Sequence, residues 1–212
     1  MYSSHKIAPV AVPEGFSHLS GWLDGAEQAR LLAEILGVIR RAPLYRPVMP
    51  RTGRPFSVTM TNCGALGWVS DRAGGYRYQP THPATGEGWP PIPARLLALW
   101  DRLAGGASRP EACLINCYRA GAKMGAHRDW DEDNKAAPVI SVSLGDAAQF
   151  HIGGPQRGDP KHRLRLNSGD VVVLGGRARL AYHGIDRVFA GTSPLPELEG
   201  RLNLTLRRVR PG

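Results

Sequence analysis

A mainly β fold with two flanking helices is predicted by three features of this sequence. The C-terminal half carries short apolar or alternating runs separated by Gly, Pro and Asn/Asp, the pattern of an antiparallel sandwich or barrel. Two earlier segments carry apolar residues at helical spacing. The length of 212 residues suits one large domain better than two.

Residues 1–16 are expected to form a leader strand or arm. The short apolar stretch at 7–12 is broken by Pro9 and lacks the small-residue cleavage pattern of a secretory signal. A helix is expected over 24–40, with Asp24 as cap, Glu27 at the capping-box spacing and a stripe of Leu31, Leu32, Ile35, Val38 and Ile39. A second should run over 93–104, with Leu96, Leu99, Trp100 and Leu103 inward and Gly105-Gly106 ending it. Between them, residues 42–91 are rich in Pro, Gly and Thr and show little periodicity. Trp68, Tyr76, Tyr78 and Trp89 mark this stretch as an ordered, functional lid. Strands are expected at 112–118, 139–144, 148–152, 162–166, 170–174 and 202–209, with the helices packed outside them.

Composition narrows the function. Hydrophobic residues make up 42% and charged residues 21%, and no apolar run approaches the ~18 residues of a membrane span, so a soluble globular protein is expected. Cys63, Cys113 and Cys117 are odd in number and lack a CxxC pair, which fits a reducing cytoplasm and argues against a disulfide framework or zinc knuckle. The net charge of +9 favours a polyanionic partner. No obligate protein partner is evident.

His127-Arg128-Asp129 places an imidazole and a carboxylate two positions apart, where an extended backbone sends both side chains to one face. With His183 as third ligand they make the facial triad of non-haem Fe(II) oxygenases, which leaves positions open for co-substrate and oxygen. The alternative is a chance HxD with His183 as a hydrogen-bonded core residue.

The segment from Arg201 to Arg207 alternates strictly. Leu202, Leu204 and Leu206 share one face, and Arg201, Asn203, Thr205 and Arg207 the other. Two guanidinium groups inside a barrel need an anion, and a dicarboxylate suits them. Asn116 and Tyr118 present donors in the same way from the strand at 112–118. If the strand from Arg201 to Arg207 were an edge, its arginines would simply face solvent.

In the order Asn116-x-Tyr118, His127-x-Asp129, His183 and Arg201-x-Asn203-x-Thr205-x-Arg207, the chain resembles the AlkB family of nucleic-acid dealkylases. Thr61-Asn62-Cys63-Gly64, Leu66-Gly67-Trp68, Tyr182-His183-Gly184 and the stretches 114–121, 138–145 and 169–173 extend the likeness over roughly 15–210. The resemblance implies a double-stranded β-helix (jelly roll) with an N-terminal substrate-recognition lid. It implies a single dioxygenase domain over 1–212, in which about 1–91 form the N-terminal helix and nucleotide-recognition lid and about 92–212 the helix and catalytic core.

By the same carry-over His127, Asp129 and His183 bind Fe(II). Arg201 pairs with the distal carboxylate of 2-oxoglutarate, assisted by Asn116 and Tyr118. Arg207 lies near the carboxylate beside the keto group, and Asn203 lines the pocket. Trp68 would stack on the substrate base opposite the His127 ring, Tyr76 would contact a phosphate, Asp131 and Glu132 would lie near a cationic alkylated base, and Arg157 would sit at the pocket margin. Such an enzyme uses Fe(II), O2 and 2-oxoglutarate and releases succinate, CO2 and an aldehyde. It acts on bases such as 1-methyladenine or 3-methylcytosine in DNA, with RNA left open, taken from a single strand or flipped from a duplex.

Residues 71–75 are one residue longer than the family's lid loop, Trp130 replaces a basic residue, and Leu174 stands at a tryptophan position. These departures leave substrate spectrum and strand preference open. Competing readings are a 2-oxoglutarate oxygenase acting on a protein or metabolite, and a non-catalytic, metal-stabilised nucleic-acid-binding module.

Overall fold

The computed structural model describes residues 11–211, so residues 1–10 of the expected leader arm lie outside the described residues. Helix α1 spans Gly25–Arg41. Its capping box is closed: the Glu27 amide donates to Asp24 Oδ1 and the Asp24 amide to Glu27 Oε2, each at 2.8 Å, a cap worth about 1 kcal/mol. Helix α2 spans Ala94–Leu103 and is followed by Gly105 at a φ of 60°, a left-handed turn open to glycine. Leu103 is only partly buried, unlike Leu96, Leu99 and Trp100.

Twelve strands follow in chain order: β1 Phe16–Leu19, β2 Thr59–Gly64, β3 Gly67–Asp71, β4 Gly75–Gln79, β5 Ala112–Tyr118, β6 Met124–His127, β7 Val139–Gly145, β8 Ala147–Ile152, β9 His162–Leu166, β10 Val171–Leu174, β11 His183–Phe189 and β12 Arg201–Arg207. A 3₁₀ turn at Gly176–Leu180 joins β10 to β11. Six strands form one antiparallel sheet in the order β1-β10-β7-β12-β5-β2, and four form another in the order β6-β11-β8-β9. β3 and β4 make a separate hairpin.

The alternation of β12 sorts the core into two layers. Leu202, Leu204 and Leu206 pack with Ile115, Ile140 and Val142 under α1 and α2. On the opposite face Met60, Leu114, Val139 and Val172 meet Phe150, Ile152 and Ile185 of the four-stranded sheet. β12 lies between β7 and β5, so its arginines are enclosed and the edge-strand alternative falls. All three cysteines are free and buried, and no helix among the described residues is long and apolar enough to cross a membrane.

The stretch 42–91 differs from expectation. Its composition predicts an ordered lid with little periodicity and no assigned strand, but it holds β2, an edge of the main sheet, as well as the β3–β4 hairpin. The reason is physical: β2 buries polar side chains satisfied by loop backbone, which erases the apolar alternation of a sheet strand. Thr61 Oγ1 donates to Ala42 O at 2.8 Å, and the Asn62 side chain both donates to and accepts from the Trp68 backbone at 3.0 Å. β6 and β11 are likewise additions; β6 is four residues long and β11 is broken by a register shift after Ile185.

Candidate metal and co-substrate site

His127 ends β6 and His183 opens β11, and the two are cross-strand partners. Gly184 makes that pairing possible: a Cβ there would stand 2.5 Å from Met124 O and 2.9 Å from the His151 ring. Asp129 follows two residues after His127, with its carboxylate oxygens 4.0 Å from His127 Nε2 and 3.9 Å from His183 Nε2. One ligand atom from each of the three lies within 4.8 Å of the others.

The orientation of both rings suits a metal. Each Nδ1 is 3.0 Å from a backbone carbonyl, Gly125 O for His127 and Ala181 O for His183, so each Nε2 is the nitrogen turned toward Asp129. Burial, reinforced by His127, pushes the His183 pKa down to about 4 and keeps the ring in its neutral, ligating form. Asp129 Oδ2 is buried without a hydrogen-bond partner, and a divalent cation would satisfy its unused lone pairs. These donors fit a divalent metal of the Fe(II) class.

Asp129 is held from below. Burial alone would raise its pKa, but Arg207, with His183 and His127, outweighs that and holds the carboxyl well below the usual range. Arg207 donates to Asp129 Oδ1 at 2.8 Å and lies 3.3 Å from Glu132 Oε1. Arg179, from the 3₁₀ turn, donates to Glu132 Oε2 at 3.0 Å, to Asp129 O at 2.9 Å and to Ala137 O at 3.0 Å. The Tyr78 hydroxyl also donates to Glu132 and ties the hairpin to this loop.

The polar face of β12 adjoins the triad. Asn116, Tyr118, Ser141, Asn203, Thr205 and Arg207 all line a cavity of about 340 Å³ that His127, Asp129 and His183 also line. Arg201, the cross-strand partner of Tyr118, is wholly buried outside that lining. It donates to Ser143 Oγ at 2.8 Å and Asp146 O at 3.3 Å, its Nε has no partner, and among the described residues it has no carboxylate in ion-pair contact. Burial pulls its pKa down to about 10 and pushes that of Tyr118 up to about 12. A buried cation with an unused donor fits an anionic guest.

The substrate-side residues divide. Trp68, Tyr76, Asp131 and Arg157 line the cavity. Trp68 donates from Nε1 to Asp131 Oδ2 at 2.7 Å, stacks on Tyr76 with centroids 5.4 Å apart, and meets Phe56 edge-on at 6.2 Å. Arg157 lies over the Tyr182 ring at 5.2 Å. Glu132 also reaches the cavity wall, but it is 2% exposed and its carboxylate is taken up by Arg179, Arg207 and Tyr78, so it faces the support of Asp129. Arg179 and Tyr78 were missed as site residues: a buried arginine in a loop looks, in sequence, like any solvated charge.

Comparison with known proteins agrees with this geometry. The profile of the 2OG-Fe(II) oxygenase superfamily matches residues 15–207. An alpha-ketoglutarate-dependent dioxygenase AlkB homolog of Caulobacter vibrioides is 50% identical over 95% of this chain and 91% of its own length. The alpha-ketoglutarate-dependent dioxygenase AlkB of Escherichia coli is 46% identical over 88% of this chain and 86% of its own. The solved structure of OsALKBH1 superposes with a TM-score of 0.75 at 29% identity, covering 93% of this chain and all of that one. Shorter matches reach an Arabidopsis thaliana protein named a DNA N(6)-methyladenine demethylase, 34% identical over 62% of this chain and 35% of its own length, and a Schizosaccharomyces pombe protein named a tRNA demethylase, 33% identical over 49% and 38%.

Proposed function

Because this chain belongs to the 2OG-Fe(II) oxygenase superfamily and, within it, to the AlkB dioxygenases, we propose that it dealkylates N-alkylated bases such as 1-methyladenine and 3-methylcytosine in DNA and in RNA. Its cofactor is Fe(II), and 2-oxoglutarate and O2 are co-substrates: 2-oxoglutarate leaves as succinate and CO2, one oxygen atom of O2 ends in succinate, and the other goes to the alkyl carbon, which is released as an aldehyde. One observation carries the reading: a single cavity brings together a two-histidine, one-carboxylate group, a polar strand face with an unsatisfied buried arginine behind it, and an aromatic wall.

His127, Asp129 and His183 would hold Fe(II), which supplies the oxidising chemistry when bound with 2-oxoglutarate and O2. Arg201, with Asn116 and Tyr118, would bind the distal carboxylate. Arg207 would hold Asp129 ionised and lie near the inner carboxylate, with Asn203 beside it. Trp68 would stack on a base taken from a single strand or flipped from a duplex, while Asp131 fixes the ring and lends negative charge toward a cationic base. Tyr76 and Arg157 at the rim suit phosphates. Glu132 acts as a positioning residue for Arg207 and Asp129. Apolar side chains of Phe56, Leu114, Phe150 and Ile185 keep water from the reacting carbon.

The two facing antiparallel sheets support a double-stranded β-helix, and the β3–β4 hairpin supports the nucleotide-recognition lid of a single domain over 1–212. The three buried free thiols suit the cytoplasm. Mass spectrometry of alkylated single- and double-stranded DNA and RNA oligonucleotides, incubated with enzyme, Fe(II), 2-oxoglutarate and air, tests the proposal. Loss of the alkyl mass with stoichiometric succinate is expected. Succinate only with a protein or metabolite substrate would move the activity to that class, and no succinate under any condition would leave a binding module.

A further inference from the structure

Trp130 is 51% exposed, whereas Trp89 and Trp100 are buried and Trp22 and Trp68 are partly covered. A lone exposed aromatic needs no explanation. This one belongs to a row. The Arg128 guanidinium lies 4.1 Å from the Trp130 ring centroid and 5.6 Å from that of Tyr182, and Arg157 lies 5.2 Å from the Tyr182 ring on its own account. At the other end Lys135 Nζ is 5.1 Å from the Trp130 ring and donates to the Trp130 carbonyl. Neither Arg128 nor Arg157 is ion-paired among the described residues.

Arg128, Tyr182 and Arg157 line the cavity, as do Asp129 and Asp131 on either side of Trp130, but Trp130 itself stands outside the wall. The Arg128 guanidinium, itself part of the lining, lies 4.1 Å from the Trp130 ring, so the ring stands beside the cavity, on the side where the nucleotide adjoining one whose base is inside would lie. Alternating cations and aromatic faces are how proteins follow a single strand, with phosphates on the cations and unpaired bases stacked on the rings.

Building on the dealkylase reading above, we propose that Trp130 forms a second base-binding subsite, outside the cavity, for the unpaired base next to the target nucleotide. Arg128 and Lys135 brace the ring and meet the flanking phosphates. A base still stacked in a duplex has no face to offer, so the subsite favours single-stranded substrates.

The test is the affinity of the anaerobic holoenzyme, loaded with Fe(II) and 2-oxoglutarate, for a single-stranded pentamer with a central 1-methyladenine, and for the same pentamer with abasic sites on either side. Base stacking is worth about 1 to 3 kcal/mol by alanine substitution, so Trp130→Ala should weaken binding of the intact pentamer by roughly 5- to 150-fold, and Trp130→Phe should recover most of it. The abasic pentamer should bind the native enzyme and Trp130→Ala equally weakly. Unchanged affinity of Trp130→Ala for the intact pentamer overturns the subsite, as does an equal loss on both pentamers. Turnover of the intact pentamer by the native enzyme in air is measured in parallel; its failure would count against dealkylation, while the binding comparison would still decide the role of Trp130.

Discussion

The side chains beneath the metal site and those around the mouth of the cavity are fixed in different ways. Beneath it, Asp129, Glu132, Arg179, Arg201 and Arg207 are all buried, and four of the five join one network that spans β12, the 3₁₀ turn and the 129–137 loop. At the mouth Tyr76 and Trp130 are half exposed, and the Trp68 ring is held by one hydrogen bond, a stack on Tyr76 and an edge contact with Phe56. The floor is over-determined, so the metal and co-substrate groups are preorganised and any one change there is felt by its neighbours. The rim side chains are anchored more singly, so each can vary with less effect on its neighbours.

The sharpest way to break this contrast is to remove the metal ligands. His127→Ala, Asp129→Ala and His183→Ala should each abolish Fe(II) binding and demethylation, since two ligands are too few to hold the ion. A variant with native iron affinity, measured by titration, would drop its residue from the triad. The three should differ in stability. Asp129→Ala leaves Arg207 short of a partner in a buried site, where breaking a pair costs about 3 to 5 kcal/mol, whereas His127 has a side chain 40% exposed and its loss should lower the melting temperature least.

A second test uses pH on the metal-free protein. The His183 pKa falls from 6.5 to about 4 on folding, so between those values the unfolded chain binds a proton that the native one does not. Stability should therefore fall as pH drops from 6.5 toward 4 and level off, as regards this group, below about 4. Asp129 acts in the same direction at lower pH: its pKa is lowered from 3.8, so its contribution is present above that value and is lost only in stronger acid. Denaturant melts of the native protein and His183→Gln should diverge in slope across the upper window and run parallel below it. Parallel slopes throughout would mean that His183 is not buried neutral.

Arg201→Ala should weaken co-substrate binding and leave iron binding largely intact. Loss of a charge-assisted hydrogen bond worth about 1.5 to 3 kcal/mol should raise the 2-oxoglutarate requirement roughly 10- to 150-fold with iron binding retained. An unchanged 2-oxoglutarate titration would assign the buried guanidinium to packing against Ser143 and Asp146 only.

The two regions also differ in how far they could be read from sequence. The floor was legible where a period or a spacing encoded it: strict alternation exposed the polar face of β12, and HxD exposed two of the three candidate ligands. It was illegible where long-range pairing decides the outcome. Nothing local in the 176–180 segment distinguishes Arg179 from a solvated arginine, and Glu132 looks like a substrate-facing acid until Arg179 and Arg207 are seen to enclose it. β2 was hidden because its buried Thr61 and Asn62 are satisfied by the backbone of residues 42 and 68. At the rim the aromatic residues were visible, but their partners were not: the Trp68 bond to Asp131 spans 63 positions.

That bond frames the mildest test. Trp68 sits at the margin of the inter-sheet core, partly buried against Phe56 and Tyr76, with its indole nitrogen committed to Asp131. If it is a stacking platform, Trp68→Ala should weaken binding of a methylated oligonucleotide by roughly 5- to 150-fold, the equivalent of about 1 to 3 kcal/mol, while affinities for Fe(II) and 2-oxoglutarate stay close to native because the floor is untouched. Trp68→Phe, which keeps a ring but gives up the Asp131 bond, should fall between the two. If Trp68 were a core residue, its loss would cost about 3 to 5 kcal/mol of stability, and melting temperature, metal affinity and oligonucleotide affinity would fall together. Partial exposure and a single anchoring bond argue for the first outcome: a ring held at one edge can keep its orientation while leaving a face to exchange Tyr76 for a substrate base.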